Sequence, residues 1–179
     1  METMERRLEG KTVVVLAENL YEDLELWYPT LRLREEGATV ILAGTGARSY
    51  RGKNGYPVDV DTSASKLSSS DLDAIVVPGG YAPDRLRRYP DVLALVGDAS
   101  RQGKVVAAIC HAAWVLISAG VVRGKRATCF SSIKDDLVNA GALYEDAPVV
   151  VDGTLITSRQ PSDLGHFCRA IIVALAGER

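Results

Sequence analysis

Short runs of apolar and often β-branched residues alternate along the chain with longer segments of helical periodicity. Continuous or nearly continuous apolar runs are typical of strands buried on both faces, as in a parallel sheet covered by helices. The pattern therefore predicts four central parallel strands, over 12–17 (TVVVLA), 38–43 (ATVILA), 73–78 (DAIVVP) and 104–109 (KVVAAI).

The segments between these runs predict helices. The first helix ends near Gly37, carries Leu24, Trp27 and Leu31 at helical spacing, and contains Pro29, which is expected to kink it or to start a new turn. Asp152-Gly153 is a strong hairpin signal between two further strands. The expected fold class is α/β: a three-layer, flavodoxin-like sandwich with a mostly parallel sheet, helices on both faces and one antiparallel hairpin. The other predicted elements are helices over 90–102, 112–119, 132–140 and 161–176 and strands over 148–151 and 154–158.

Composition narrows the class of protein. The 179 residues, 47% hydrophobic and 25% charged, predict one domain over 1–179. A net charge of −2 gives no broad basic field for nucleic acid, and no apolar stretch approaches the roughly 20 residues of a membrane span. The charged start METMERRLEG lacks a signal-peptide core, which predicts a cytoplasmic protein. Three cysteines without a C-x-x-C pair and only two histidines predict neither a disulfide framework nor a metal site, and no cofactor is expected.

The glycine-rich segment 44–57 raises the question of a nucleotide site. Gly44-x-Gly46 follows a strand, but Ser49 occupies the place of the third glycine and no helical pattern follows, so the dinucleotide fingerprint is rejected. A surface loop is expected here.

Reactive chemistry is concentrated around Cys110. A buried strand ends at Ile109 and an apolar helix begins near Ala112, which places Cys110 on a sharp strand-to-helix turn at the carboxyl edge of the sheet. The free N–H groups of the next helix stabilise a thiolate, so a depressed Cys110 pKa is expected, although a buried structural cysteine is an equal alternative. Cys129 and Cys168 are expected in the core.

Two other segments end at the same edge. Glu22 starts the helix after the first strand and can approach Cys110, whose negative charge would raise the Glu22 pKa; alternatively, Glu22 closes a capping box with Asn19. Gly79 and Gly80 follow the third strand, where their backbone N–H groups can face a developing oxyanion, or form an ordinary loop.

Five blocks of the sequence together resemble the PfpI family of the ThiJ/PfpI superfamily, whose domains are class I glutamine amidotransferase-like. They occur in family order and cover nearly the whole chain: NLYEDLEL, PGGYAPDRLR, AICHAAW, SSIKDDLVNAG and VVDGTLITSRQPSDL.

The resemblance implies roles for particular residues. Cys110 matches the family's nucleophilic, readily oxidised cysteine, Glu22 the glutamate that hydrogen-bonds its sulfur, and His111 the base of the peptidase-like members. Asp84 matches the third catalytic partner, which comes from a neighbouring subunit, so a homodimer or higher homo-oligomer is implied. Gly80 and the His111 N–H match the oxyanion-binding groups, and Arg159 a residue at the pocket rim.

Two departures weaken the case for a proteolytic triad. Asp84 stands where the peptidase-like members carry the longer Glu, and Ala112-Ala113 replaces the Gly-Pro that often follows Cys-His. The resemblance, taken with these departures, implies a stress-protective, cysteine-dependent enzyme of glyoxalase or protein deglycase type, acting on a small aldehyde or on protein, slightly ahead of a peptidase acting on peptides. A redox-sensing or chaperone-like protein that oxidises at Cys110 is the alternative from another class, and a hydratase of the same superfamily is a third.

Overall fold

The computed structural model describes residues 6–177. Residues 1–5 of the charged start and residues 178–179, which are the two ends of the predicted domain over 1–179, lie outside the described residues. No helix among the residues described is long and apolar enough to cross a membrane.

The centre of the molecule is a mostly parallel sheet. The strands of the described residues are β1 Thr12–Leu16, β2 Thr39–Gly44, β3 Ser49–Arg51, β4 Pro57–Asp59, β5 Thr62–Ser63, β6 Ala74–Val77, β7 Val105–Ile109, β8 Arg126–Ala127, β9 Leu143–Tyr144, β10 Val149–Asp152 and β11 Leu155–Ser158. Seven of them form the central sheet, in the order β10-β11-β7-β6-β1-β2-β5. Every neighbouring pair is parallel except the terminal hairpin β10–β11, which confirms the mostly parallel sheet predicted from the apolar runs.

Helices cover both faces of this sheet. They are α1 Asp23–Glu35, α2 Ala82–Leu86, α3 Pro90–Arg101, α4 Ala113–Ser118, α5 Lys134–Asn139 and α6 Leu164–Ala176. On one face α1 packs against α6, and on the other α3 and α4 pack against each other and against β7. The three-layer sandwich is thereby confirmed, because the central strands are apolar on both sides and need both layers to exclude water. Single 3₁₀ turns occupy Ala64–Lys66, Ser69–Asp71, Cys110–Ala112, Ser131–Ile133 and Pro161–Asp163.

The order of the strands determines where a site can form. The chain leaves β1 toward β2 on one side, while β6 and then β7 lie on the other side. Ligands of open α/β sheets bind at such a reversal, outside the carboxyl ends of the strands. The segments after β1, β6 and β7 therefore meet at one edge.

Two details differ from the expectations. The segment over 44–57, expected to be a loop, contains β3 and the start of β4, which form a short antiparallel hairpin. In α1, which continues through Pro29, the predicted apolar face is wrong: Leu24 and Leu31 are 58% and 59% exposed. The face turned inward contains Glu25, Leu26, Pro29, Thr30 and Leu33.

Candidate active site

Cys110 occupies a strained turn directly after β7. Its φ is +63°, in the left-handed region that residues other than glycine seldom adopt. One 3₁₀ turn, Cys110–Ala112, leads from the strand into α4. Such strain is characteristic of a nucleophile elbow, because it lifts the side chain above the edge of the sheet. The side chain itself is only 7% exposed.

His111 lies beside the thiol. Its Nδ1 is 3.3 Å from Cys110 Sγ, and its Nε2 is 3.2 Å from the hydroxyl of Ser132. Phe130 stacks on the imidazole with a centroid distance of 5.1 Å, and Trp114 meets it edge-on at 5.3 Å. Burial, aided by the positive charge of Lys53, lowers the His111 pKa. His111 is therefore neutral at pH 7 and can accept a proton from the thiol.

Glu25 supplies the carboxyl group of the site. This residue in the first turn of α1 is completely buried. Its Oε2 accepts a hydrogen bond of 2.8 Å from the Gly79 N–H, while Oε1 has no hydrogen-bond partner in the described part of the chain. The Glu25 carboxyl lies beside Cys110, since a Cβ atom at Gly79 would meet both residues, and the two groups shift each other's pKa. Burial and the charge of Glu22 raise the Glu25 pKa to about 8, so at neutral pH Glu25 is a carboxylic acid.

The prediction that Glu22 hydrogen-bonds Cys110 is wrong. Glu22 is the N-cap of α1, and its Oε2 accepts from the Glu25 N–H at 2.9 Å. A carboxylate at a helix N-terminus satisfies a free N–H and the helix dipole, which fixes Glu22 away from the sulfur. Glu25 takes the predicted position because it lies three residues further, on the face of α1 turned toward Cys110.

The expected depression of the Cys110 pKa is not found. Burial, the dominant cause, and the negative charge that Glu25 can carry raise the Cys110 pKa to about 12. The N–H groups of His111 and Gly80 donate hydrogen bonds toward the sulfur and act in the opposite direction. The six-residue α4 has too little dipole to outweigh burial. The resting form of Cys110 is the thiol.

The two predicted oxyanion glycines have different roles. Gly80, with φ +79°, directs its N–H toward the Cys110 sulfur, as does His111. These two donors lie beside the place where a bond to sulfur forms. The Gly79 N–H is already bound to Glu25, so the prediction that Gly79 supplies an oxyanion donor is wrong. A side chain at Gly79 would collide with the Glu25 carboxyl and place Cβ 2.7 Å from Cys110 Cβ.

The remaining predicted residues lie outside this cluster. Asp84 is 60% exposed and pairs with Arg88 at 3.3 Å, and its contact with His111 of a neighbouring subunit stays a prediction. The Arg159 guanidinium binds Asp146 at 2.9 Å and Asp163 at 2.8 Å, so two carboxylates already neutralise its charge. Its place at a pocket rim likewise stays a prediction.

Three functional candidates were missed in the sequence: Glu25, Ser132 and Lys53. For Glu25 a signal exists, because Leu26, Pro29 and Leu33 follow helical spacing and place Glu25 on the same inward face. Ser132 lies in the 3₁₀ turn Ser131–Ile133 and Lys53 in a turn after β3; only the tertiary fold brings them to the site, so local sequence carries no signal for them. Among the residues that the structure covers, no cluster of three or more His, Cys, Asp or Glu side chains could hold a metal ion. Cys129 and Cys168 are buried.

Comparison with known proteins places this site in a family. The family model of the DJ-1/PfpI family matches residues 11–174. The Deglycase PH1704 of Pyrococcus horikoshii is 44% identical over 163 residues, which cover 91% of this chain and 98% of the relative. The Putative cysteine protease YraA of Bacillus subtilis is 39% identical over 161 residues, 89% of this chain and 95% of the relative. The crystal structure of Drosophila melanogaster DJ-1beta superposes with a TM-score of 0.88 at 33% identity, covering 94% of this chain and 91% of that one. The chain belongs to the DJ-1/PfpI family.

Proposed function

We propose that the protein is a cysteine-dependent enzyme that acts on 2-oxoaldehydes and on their early adducts with amines, with Cys110 as nucleophile. The observation that carries this proposal is the arrangement of three uncharged groups at one sulfur: the Cys110 thiol, a neutral imidazole 3.3 Å away and the protonated Glu25. One base and one acid beside a nucleophile are suited to reactions that move protons between adjacent carbons.

In the first step Cys110 Sγ attacks the aldehyde carbon. His111 Nδ1 takes the thiol proton as the S–C bond forms, and the aldehyde oxygen becomes an alkoxide near the N–H groups of Gly80 and His111. The imidazolium returns the proton to this oxygen and yields a hemithioacetal. When the substrate is an amine adduct of the aldehyde, the same S–C bond forms as the C–N bond breaks, and the amine leaves with the thiol proton.

In the second step the hydrogen of the former aldehyde carbon moves to the neighbouring carbon. Neutral His111 removes it as a proton while Glu25 protonates the neighbouring carbonyl oxygen, which gives an enediol. His111 then protonates the neighbouring carbon, and Glu25 recovers its proton from the other hydroxyl. The product is a thioester of a 2-hydroxy acid. Water hydrolyses it to the free acid and the Cys110 thiol, so the cycle consumes one water and no oxidant.

Methylglyoxal turnover tests this proposal. The purified protein should convert methylglyoxal to lactate and release the amine from a methylglyoxal adduct of N-acetyl-lysine. Cys110→Ala should lower both rates at least ~100-fold, because the covalent step is lost. The matched control is Cys168→Ala, since that buried thiol lies in a cleft between α6 and α1 beside Tyr28 and Arg32. Unchanged lactate formation in Cys110→Ala would refute the proposal.

Peptide hydrolysis is the second candidate. The 3.3 Å contact between Cys110 Sγ and His111 Nδ1 is a nucleophile–base pair of the kind that peptidases use, and a relative bears the name Putative cysteine protease. Cys110-dependent cleavage of fluorogenic peptides without any lactate formation would replace the first candidate.

A sensor that oxidises at Cys110 receives less support, because oxidation proceeds through the thiolate and burial holds Cys110 in the thiol form. Sulfinic Cys110 under mild peroxide, with neither substrate class turned over, would favour the sensor.

A further inference from the structure

Lys53 is fixed by its backbone close to the nucleophile. Its N–H donates to the Tyr21 carbonyl at 2.8 Å. Tyr21 pairs on one side with Gly52 and on the other with Gly80, whose N–H points toward the Cys110 sulfur. Only the segment around Tyr21 therefore separates the Lys53 backbone from the oxyanion donor Gly80.

The loop that carries Lys53 is well anchored. The Asp23 carboxylate accepts hydrogen bonds of 3.0 Å from the backbone N–H groups of Asn54 and Tyr56. The Tyr21 hydroxyl donates to the Tyr56 carbonyl at 2.5 Å. These bonds hold residues on both sides of Lys53, so its ammonium is confined to the region that its four-carbon stem can sweep.

The charge of Lys53 is available to a ligand. The side chain is exposed, and over residues 6–177 it forms no ion pair. Its positive charge acts on both His111 and Glu25 and lowers the pKa of each, in agreement with the position of its backbone next to Tyr21. Glu25 is protonated at neutral pH and the Glu22 carboxylate binds the N-terminus of α1, so neither neutralises Lys53.

We infer that Lys53 forms a subsite for a carboxylate carried by the carbonyl substrate close to the carbon that Cys110 attacks. The inference deepens the proposed function, on which it rests, by naming 2-oxoaldehydes that carry a carboxylate, such as 4,5-dioxopentanoate, as a preferred class over uncharged 2-oxoaldehydes. The keto group beside the aldehyde still allows the hydrogen shift, and the product is 2-hydroxyglutarate. An ammonium on a flexible stem suits this role, because it follows the carboxylate as the attacked carbon changes from planar to tetrahedral.

A pair of alkylating reagents tests the subsite without any turnover. Iodoacetate and iodoacetamide differ little in size, but only iodoacetate carries a carboxylate. The ratio of their second-order rates at Cys110, followed by mass spectrometry of the peptide containing that residue, measures the attraction of an anion to the sulfur. Lys53→Gln should lower the iodoacetate-to-iodoacetamide ratio about three- to fivefold, the effect expected for one exposed charge pair. High salt should erase most of the difference.

Two further variants complete the experiment. Lys53→Arg should keep most of the ratio, because it retains the charge. Lys104→Gln is the matched control, since it removes a lysine just before β7, at the opposite edge of the sheet, and should leave the ratio unchanged. The same three variants are then compared for kcat/KM with 4,5-dioxopentanoate and with methylglyoxal, and only Lys53→Gln should lose the preference for 4,5-dioxopentanoate.

The outcomes separate the two proposals. An unchanged alkylation ratio in Lys53→Gln overturns the subsite, whatever the enzyme turns over. A ratio that falls in Lys53→Gln and in Lys104→Gln alike also overturns it, because the effect is then one of net charge. A ratio that falls only in Lys53→Gln, in a protein that turns over no carbonyl compound, supports an anion subsite and refutes the proposed reaction alone.

Discussion

The buried carboxyl of Glu25 should make the protein less stable at neutral pH than a variant with glutamine there. Glu25→Gln has nearly the same shape. Its amide oxygen can accept from the Gly79 N–H, as Oε2 does now, and its NH₂ can face the sulfur, where the protonated carboxyl stands. The substitution thus keeps the contacts of the acid form and removes only the ability to ionise.

The sign of the effect follows from the direction of the pKa shift. The Glu25 pKa rises from its ordinary value of 4.5 to about 8 in the folded protein. Between these values the unfolded chain releases the proton and the folded chain retains it, so the free energy of unfolding falls as the pH rises. At about 1.36 kcal/mol per pH unit over the roughly 2.5 units below pH 7, Glu25 costs about 3 kcal/mol at pH 7. Below pH 4.5 the cost disappears.

Urea unfolding between pH 4.5 and 8 measures this effect. The free energy of unfolding of Glu25→Gln should exceed that of the original protein by less than ~1 kcal/mol at pH 5 and by about 3 kcal/mol at pH 7. Glu35→Gln is the matched control in the same helix, because its side chain is 58% exposed and should change stability by less than ~0.5 kcal/mol. Ionisation of the unfolded cysteines, whose ordinary pKa is about 8.5, is the same in both proteins and cancels in the difference between them.

Two results would refute the reasoning. If Glu25→Gln is more stable by the same amount at every pH, its benefit is one of packing and Glu25 does not titrate as described. If the variant is less stable at pH 7, the folded protein prefers the carboxylate. Activity provides a second readout: loss of the proton donor should lower lactate formation about 10²- to 10⁴-fold even though stability increases.

Two further predictions concern the groups around this pair. Ser132→Ala should lower kcat about two- to tenfold and alter the pH profile of kcat. The Ser132 hydroxyl, 3.2 Å from His111 Nε2, stabilises the tautomer with a proton on Nε2 and so leaves Nδ1 free as a base. Ser132→Thr should restore both quantities, and unchanged kinetics in Ser132→Ala would contradict this role. Gly79→Ala should lower the free energy of unfolding by about 1–3 kcal/mol, because a methyl group there collides with Glu25 and Cys110. Gly165→Ala, at an uncrowded position in α6, should instead raise it by about 0.5–1 kcal/mol, and equal effects of the two in urea unfolding would contradict the close packing at Gly79.

Elements with strong periodicity could be predicted from the sequence. The four apolar runs correspond to β1, β2, β6 and β7. A strand that is covered on both faces is apolar at nearly every position, so it is easily recognised in the sequence. The location of Cys110 followed from the same pattern, since the strand and the next helix leave no room for a loop. The short pair β3–β4 was not predictable, because its stability comes from the Asp23 carboxylate and from Tyr21, which lie about 30 residues earlier in the chain.

The acid of the site escaped prediction for a reason of helix geometry. Leu24, Trp27 and Leu31 suggest an apolar face, yet Leu24 and Leu31 are largely exposed. In α1 a Glu lies on the inward face while two leucines face outward, which is the reverse of the usual amphipathic pattern, because a buried Glu is normally unfavourable. Glu25 is tolerated there since Gly79 donates to it and its proton is retained at neutral pH. The hydrophobic pattern alone therefore does not single out a polar functional residue at a core position; the spacing of Leu26, Pro29 and Leu33 is needed to place it there.

The protonation states of Cys110, Glu25 and His111 together explain why the thiol is not ionised at rest. A thiolate in this position would be buried beside a carboxyl group, with only two N–H groups and a short helix to stabilise it. The Cys110 thiol, the Glu25 acid and neutral His111 all lack a charge at neutral pH, so none of these three groups bears the cost of a buried charge at rest. In the proposed reaction, charge develops only as sulfur attacks, when the proton passes to His111 and the N–H groups of Gly80 and His111 lie beside the new oxyanion. On that proposal the resting thiol should react slowly with free electrophiles, and rapidly only with a carbonyl compound bound where these groups converge.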